Sequence, residues 1–170
     1  MAVSSPSDFA VAIIYGCRGD LGFWRPGNRD WTRIWKSFDE YPSYYGSYSV
    51  VDVTYFDGQF YAVNSIGEIR AFDIKGAKPT KSKVGKFVVS VPHIGDKICI
   101  TGSGKLLLVV TFCRRRKNTH LFGIFEVNTV TKTWKKKEDL DGKALFTGDH
   151  NASILVESTQ GIKGDQYFNR

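Results

Sequence analysis

The sequence predicts an all-β protein built from short antiparallel strands. Apolar and polar side chains alternate with a period of two, most clearly at Val51 to Tyr55, and this places the apolar side chains on one sheet face. Asp57-Gly58 follows directly and Gly67 comes after the next apolar run, which is the turn chemistry of tight hairpins. No segment longer than a turn or two has a helical period. We therefore predict a three-stranded meander at Val51 to Asp73, which is most of a β-propeller blade.

Further strands are predicted on both sides of this meander, because apolar or alternating segments bounded by turn residues are typical of strands. They lie at Phe9 to Tyr15, Leu21 to Trp24, Trp31 to Trp35, Phe87 to Val91, Ile98 to Thr101, Leu106 to Phe112 and Leu121 to Val127. Leu140 to Thr147 is predicted to be a turn and a strand, and only fragments of strand are predicted at Ile154 to Val156 and Gln166 to Phe168. Ser37 to Ser49 is predicted to cross between blades as an irregular loop, and Lys75 to Lys86 to be a linker. The whole pattern predicts a partial β-propeller-like array of about three to four antiparallel meander sheets. It covers residues 9–170 and follows a short N-terminal extension at residues 1–8.

Composition places the chain among folded domains. Its 170 residues are one domain's worth, and its 42% hydrophobic content is too high for a disordered chain. No apolar run approaches the ~20 residues of a membrane span, so no membrane partner is expected. Cys17, Cys99 and Cys113 are far apart and no export signal precedes them, which predicts reduced thiols inside the cell.

No motif for catalysis or cofactor binding is found. His93, His120 and His150 are isolated from one another and from the cysteines, so no metal-ligand spacing exists. Gly102 to Lys105 (GSGK) departs from the nucleotide-binding pattern at two positions and is predicted to be a hairpin turn. The sequence lacks the usual hydrolase and metalloprotease signatures. We predict a protein that is not an enzyme and that binds no cofactor or metal.

Two basic segments are the candidate partner-binding sites in a chain whose net charge is +7. The first lies at the tip of a predicted hairpin and consists of Arg114, Arg115, Arg116 and Lys117. The second follows Trp134 and consists of Lys135, Lys136 and Lys137. Such a charge attracts polyanions or acidic proteins over a screened distance of ~8 Å. Solvated loop tips are the favoured interpretation, because Glu138 and Asp139 directly follow the second segment.

Three tryptophans at the start of the chain admit two interpretations. Trp24, Trp31 and Trp35 would form either an aromatic binding platform or the filling between neighbouring blades. Large apolar side chains are usually buried, so the second interpretation is preferred.

Five motifs, in order along the chain, carry a resemblance to a known family. They are Leu21 to Ile34 (LGFWRPGNRDWTRI), Asp52 to Asp73 (DVTYFDGQFYAVNSIGEIRAFD), Gly104 to Arg116 (GKLLLVVTFCRRR), Phe122 to Gly148 (FGIFEVNTVTKTWKKKEDLDGKALFTG) and Asp165 to Phe168 (DQYF). Together the motifs resemble the plant F-box-associated, KIB-type β-propeller family. The resemblance implies a protein-recognition propeller, which in the family usually follows an F-box, a helical segment that docks on the adaptor of a cullin-type ubiquitin ligase. It brings no catalytic residues.

The resemblance also sets expectations about partners. The sequence starts inside the family's pattern, just before the strand at Phe9, and residues 1–8 have no apolar stripe at helical spacing. We therefore expect no F-box, no binding of the adaptor by this chain alone, and an unknown target protein as the partner. The alternatives are a basic nucleic-acid-binding β protein and a truncated gene product without independent activity. The expected location is the cytoplasm or nucleus, with an organelle as the alternative.

A last expectation concerns the edges of the array. A closed propeller usually has at least four blades, so a partial one is expected to leave a sheet edge open. The unpaired N–H and C=O groups of such an edge promote association with another chain.

Overall fold

The structure, a computed structural model, describes residues 9–16, 19–35, 49–74, 80–86, 97–114, 119–147, 153–157 and 167–169. All of the regular elements in these ranges are strands. They are β1 (Val11–Tyr15), β2 (Asp20–Trp24), β3 (Thr32–Trp35), β4 (Val50–Phe56), β5 (Gln59–Asn64), β6 (Glu68–Asp73), β7 (Thr80–Lys86), β8 (Lys97–Ser103), β9 (Lys105–Arg114), β10 (Thr119–Asn128), β11 (Thr133–Lys137), β12 (Lys143–Thr147), β13 (Ser153–Glu157) and β14 (Tyr167–Asn169).

These strands form four sheets, which we name in chain order. Sheet A has the order β1-β2-β3, sheet B the order β4-β5-β6-β7, sheet C the order β11-β10-β9-β8, and sheet D the order β13-β12-β14. Sheets A, B and C are antiparallel meanders, as the sequence predicts. The array of all-β sheets is confirmed, and in the described residues it is not closed into a ring.

Sheet B contains the predicted meander and one strand more. Asp57 and Gly58 have φ values of 44° and 80°, as the tight turn between β4 and β5 requires, and Gly67 turns the chain into β6 with φ 77°. The prediction of a linker at Lys75 to Lys86 is wrong over its second half, because β7 pairs with β6 there. This strand is at the outer edge of the sheet. Edge strands often carry lysines, so they need not show an alternating apolar pattern.

Sheets C and D show where hairpin chemistry determines the topology and where it does not. Gly104, with φ 70°, joins β8 to β9 and confirms the hairpin turn predicted for GSGK. Sheet D departs from the predicted antiparallel pattern in one strand, because β14 runs parallel to β12. No hairpin links these two strands along the chain, so nothing local forces them to be antiparallel. The loop predicted at Ser37 to Ser49 and the strand predicted at Phe87 to Val91 fall almost wholly outside the described residues.

The sheets pack face to face in chain order, and β9 shows how. Leu106, Leu108 and Val110 belong to the core between sheets B and C. Leu107 and Val109 alternate with them and belong to the core between sheets C and D. Because both faces of sheet C are covered, the segment from Leu106 to Val110 is apolar without interruption, unlike a strand with one face in water.

The core between sheets A and B contains a group of aromatic rings among aliphatic side chains. The ring of Phe23 lies 4.9 Å from that of Phe60 and 5.8 Å from that of Phe72, measured between centroids, and Trp35 lies 5.9 Å from Phe72. Trp35 is fully buried here, so the prediction that tryptophans fill the space between blades is correct for it. The prediction is wrong for Trp31, which is 47% exposed.

Candidate interaction surface

The first predicted basic segment lies at the end of a hairpin. β9 ends at Arg114 and β10 begins at Thr119, and the two strands pair in the predicted antiparallel register. Arg115, Arg116 and Lys117 are outside the described residues. The structure thus gives the position of this hairpin but no side-chain geometry for its basic tip.

The second predicted segment lies on β11, the outer edge strand of sheet C. Lys136 forms an ion pair with Glu138 at 3.0 Å, and Lys137 binds Asp141 at 2.9 Å. Lys135 is exposed and makes no ion pair with any residue whose placement is described. Two of the three positive charges are therefore already balanced by carboxylates of the same chain.

Asp141 is the centre of the charge cluster next to this segment. Its carboxylate accepts hydrogen bonds from the Nζ of Lys137 at 2.9 Å and from the Nζ of Lys105 at 3.3 Å. The bond from Lys137, followed by that from Lys105, lowers the pKa of Asp141 from 3.8 to about 2. The pKa of Lys105 is raised, first by its hydrogen bond to Glu126 and then by that to Asp141. This cluster joins the start of β9 to the turn before β12 and contributes little energy, because its members are solvated.

A second surface, which the sequence did not indicate, lies where sheets A and B open to solvent. One cleft of about 430 Å³ is lined by Phe9, Ala10, Arg25, Tyr55, Gly58, Phe60 and Ile74. A cleft of about 350 Å³ shares Arg25 and Ile74 with it and continues past Asn28, Arg29, Asp30 and Thr32. We call the two adjoining clefts the A/B groove. They lie at the end of the sheets where β1 begins and where β2, β4 and β6 end.

Aromatic side chains form one wall of the A/B groove. Tyr55 is 57% exposed just before the turn that starts at Asp57, and its ring packs edge-on against Phe60 with centroids 5.1 Å apart. Phe9 is 51% exposed, and the centroid of its ring lies 6.0 Å from that of Trp24. Exposed rings of this size, held in place by neighbouring rings, offer apolar area that need not be ordered again on binding.

Polar groups form the other wall, on the turn that follows β2. The backbone N–H of Asn28 donates to the carbonyl of Arg25 at 3.0 Å, and the indole Nε1–H of Trp24 donates to the carbonyl of Asn28 at 3.2 Å. These bonds hold the turn, so Arg25 and Arg29 are presented on an ordered backbone. The A/B groove therefore combines an apolar wall with two guanidinium groups and one carboxylate, that of Asp30.

The position of these residues explains why sequence patterns missed them. Phe9, Arg25, Tyr55 and Ile74 come from four separate strand ends, and only the packing of sheet A on sheet B brings them together. One local signal was available. Tyr55 is a large ring directly beside a tight turn, where the chain must be at the surface.

A buried polar cluster lies in the same interface, away from solvent. The Nη2 of Arg70 is 3.0 Å from the Oε1 of Glu68, and the guanidinium stacks over the ring of Trp35 at 4.3 Å from its centroid. Asn64, also buried, accepts bonds through its Oδ1 from the backbone N–H groups of Ile66 and Glu68. These contacts shape the turn into β6 and attach it to sheet A. Their burial makes the cluster structural, since no ligand can reach it.

The described ranges hold no group of three His, Cys, Asp or Glu side chains that could bind a metal ion. Nor do they contain a helix with the length and hydrophobicity needed to cross a membrane.

Comparison with known proteins identifies the family. The profile of the KIB1-4 beta-propeller family matches residues 1–169. The chain is 29% identical over 166 residues to the "Putative F-box protein At5g55150" of Arabidopsis thaliana, an alignment that covers 91% of this chain and 43% of that protein. The chain thus spans less than half the length of this curated relative, and no solved structure matches it. Together with the array of stacked sheets, the match over nearly the full sequence shows that the chain belongs to the KIB1-4 beta-propeller family.

Proposed function

We propose that this chain is a protein-recognition domain that binds a target through the A/B groove. The observation that supports the proposal is the pair of exposed rings, Phe9 and Tyr55, at the mouth of a groove that also holds Arg25. Aromatic and Arg side chains carry most of the binding energy in protein interfaces. Propeller membership adds support, because this architecture places loops and turns together at one end of its blades.

The composition of the A/B groove indicates the kind of peptide it would take. An apolar or aromatic anchor would fill the space between Phe9, Tyr55 and Phe60. A carboxylate beside that anchor would meet the guanidinium group of Arg29, which is suited to bidentate pairing. The proposed ligand is therefore an exposed segment with a large apolar residue next to Asp or Glu.

The charges on β11 make nucleic acid a weaker candidate ligand. Phosphate binding needs several cations that are not already neutralised. The salt dependence of the affinity becomes steeper with the number of such cations. On β11, Lys136 and Lys137 are occupied by Glu138 and Asp141. Lys135 alone cannot supply a phosphate-binding face.

Selection from a phage-displayed peptide library against the purified chain tests the proposal. We expect the enriched sequences to pair a large apolar residue with Asp or Glu. Replacement of Tyr55 by Ala should weaken a selected peptide by about tenfold or more, as for a typical interface anchor. Val130, 86% exposed on the turn after β10, provides the matched control, and Val130→Ala should bind as the wild type does. Equal affinity of Tyr55→Ala and the wild type would contradict the proposal.

We further propose that this 170-residue chain does not bind the ubiquitin-ligase adaptor. Docking by an F-box buries an amphipathic helical face, and every regular element in the described ranges is a strand. Gel filtration of the chain mixed with purified adaptor should show two separate peaks. A co-eluting complex would mean that another surface of the chain docks the adaptor.

A further inference from the structure

The free edge of sheet A differs from its counterpart in sheet B. The start of β1, at Phe9 and Ala10, and the end of β4, at Tyr55, line the same cleft. β1 therefore runs opposite to β4, and has the direction of β5. In sheet B, β4 pairs with the outer side of β5. Among the described residues, no strand pairs with β1 in the equivalent position.

The strand at this edge carries no protection against pairing. β1 has the sequence VAIIY, without charge, proline or glycine. The outer edges of sheets B and C are different, because β7 (TKSKVGK) and β11 (TWKKK) each contain three lysines. Lysines on an edge strand oppose pairing with another strand, through repulsion and the cost of burying their charge. An exposed apolar edge without them is a predicted site of association with another strand.

The side chains of β1 fit pairing as well. Val11 is 38% and Ile14 37% exposed, on opposite faces of the sheet, so apolar area is left uncovered on both. On the outer face, Tyr15 packs over Gly22, where an added Cβ would come within 3.1 Å of the tyrosine ring. The hydroxyl of Tyr15 accepts a bond from the Nε of Arg33 at 2.6 Å, which fixes the ring. The edge is thus apolar, and its last side chain, Tyr15, is held in place.

We propose that β1 is a self-association edge, at which a second copy of this chain adds its own β1 in antiparallel orientation. Pairing about a two-fold axis at Ile13 sets Val11 of one copy opposite Tyr15 of the other, and Ala12 opposite Ile14. Every facing pair is uncharged, so no like charges meet across the axis. Sheets A of the two copies become one six-stranded sheet, with the order β3-β2-β1 repeated in reverse. A five-residue edge buries less area than a standard interface, so the dimer is expected to be reversible.

A cysteine placed on the two-fold axis tests this register. In the Ile13→Cys variant the two Cα atoms would lie within the ~7 Å that a disulfide can span. Mild oxidation should therefore link two copies, and peptide mass spectrometry should find the bond between the two residues at position 13. In Val11→Cys the two sulfur atoms lie four residues apart along the strand direction, and this variant should not link. Failure of Ile13→Cys to link, or equal linking by both variants, would overturn the proposed pairing.

Sedimentation velocity of the unmodified chain over a concentration series is the second measurement. The wild type should change from monomer to dimer as concentration rises. Ile14→Lys, which puts two ammonium groups at diagonal positions across the axis, should shift the transition to at least about tenfold higher concentration. Val130→Lys, which adds the same charge on a distant turn, should leave it unchanged. A wild type that stays monomeric throughout, or an Ile14→Lys variant that associates like the wild type, would show that β1 does not join two copies.

Discussion

The two interfaces of sheet B are built from different side chains. Against sheet A it packs a group of rings, Phe60 and Phe72 against Phe23 and Trp35, among aliphatic side chains. Against sheet C it packs mainly aliphatic groups, with Tyr61 and Phe56 as rings, on the buried Leu106, Leu108 and Val110 of β9. The aromatic interface is the one that opens into a groove, and it also holds the buried ion pair.

The largest effect on stability is expected from the ion pair in the aromatic interface. Arg70→Met keeps an apolar stem over Trp35 but removes the guanidinium that pairs with the buried carboxylate of Glu68. We expect a loss of about 3–5 kcal/mol in the free energy of unfolding, because removing one partner of a buried ion pair is strongly destabilising. Urea denaturation measures it. Adding Glu68→Gln should recover part of the loss, and a double variant as unstable as Arg70→Met would show that charge burial is not the cause.

The aliphatic interface is expected to respond through packing alone. Leu108→Ala removes a completely buried side chain between sheets B and C and should cost about 3 kcal/mol. Since Leu108 does not line the A/B groove, peptide binding by the folded fraction should be unchanged. Fluorescence titration with a selected peptide at low temperature measures that binding. A parallel loss of affinity would mean that the two interfaces are coupled.

A smaller effect is expected at the margin where the rings meet solvent. Phe60 contacts Phe23 within the core and Tyr55 in the groove. Phe60→Leu should cost about 1 kcal/mol, the usual range for lost aromatic pairing. It should also weaken peptide binding, because the ring of Tyr55 loses its support. Thermal unfolding and the same titration separate the two effects, and an unchanged affinity would remove Phe60 from the binding surface.

The smallest effect belongs to the solvated charge cluster beyond the aliphatic interface. Since the pKa of Asp141 is lowered from 3.8 to about 2, its stabilising contribution is complete above pH 3.8. That contribution decreases as the pH falls through the native pKa, and it is lost below about 2. NMR titration of the Asp141 carboxyl should show the low pKa in the wild type. In Lys137→Gln the pKa should rise toward 3.8, and an unaltered value would contradict the role of Lys137.

Much of the fold could be predicted because its rules are local. The alternation at Val51 to Tyr55 and the turns at Gly58, Gly67 and Gly104 gave strand positions that the structure confirms. β7 was missed because an edge strand has no apolar period to detect. The sequence predicts a fragment of strand at Gln166 to Phe168, close to where β14 lies. Its parallel pairing depends on a distant partner, β12, and the neighbouring residues do not indicate this pairing.

The candidate surface could be predicted much less well, for a related reason. Trp31 and Trp35 are the same residue type four positions apart, yet one is exposed and the other buried by Phe72 of sheet B. Only the contact between sheets separates the two cases. Charge runs such as Lys135 to Lys137 are visible in a sequence, but their pairing with Asp141 depends on how the following turn folds back.

The order in which the sheets stack has a consequence for how the molecule opens. Sheets B and C are each covered on both faces, whereas sheets A and D each have one face covered by a core cluster. In a linear array of this kind, local unfolding of a terminal unit costs less free energy than local unfolding of a central unit. Amide hydrogens of β5, β6 and β9 should therefore exchange with solvent most slowly, and those of β1 and β13 fastest. The A/B groove lies between a terminal unit and a central one, so its walls belong to parts of the molecule with different rates of opening.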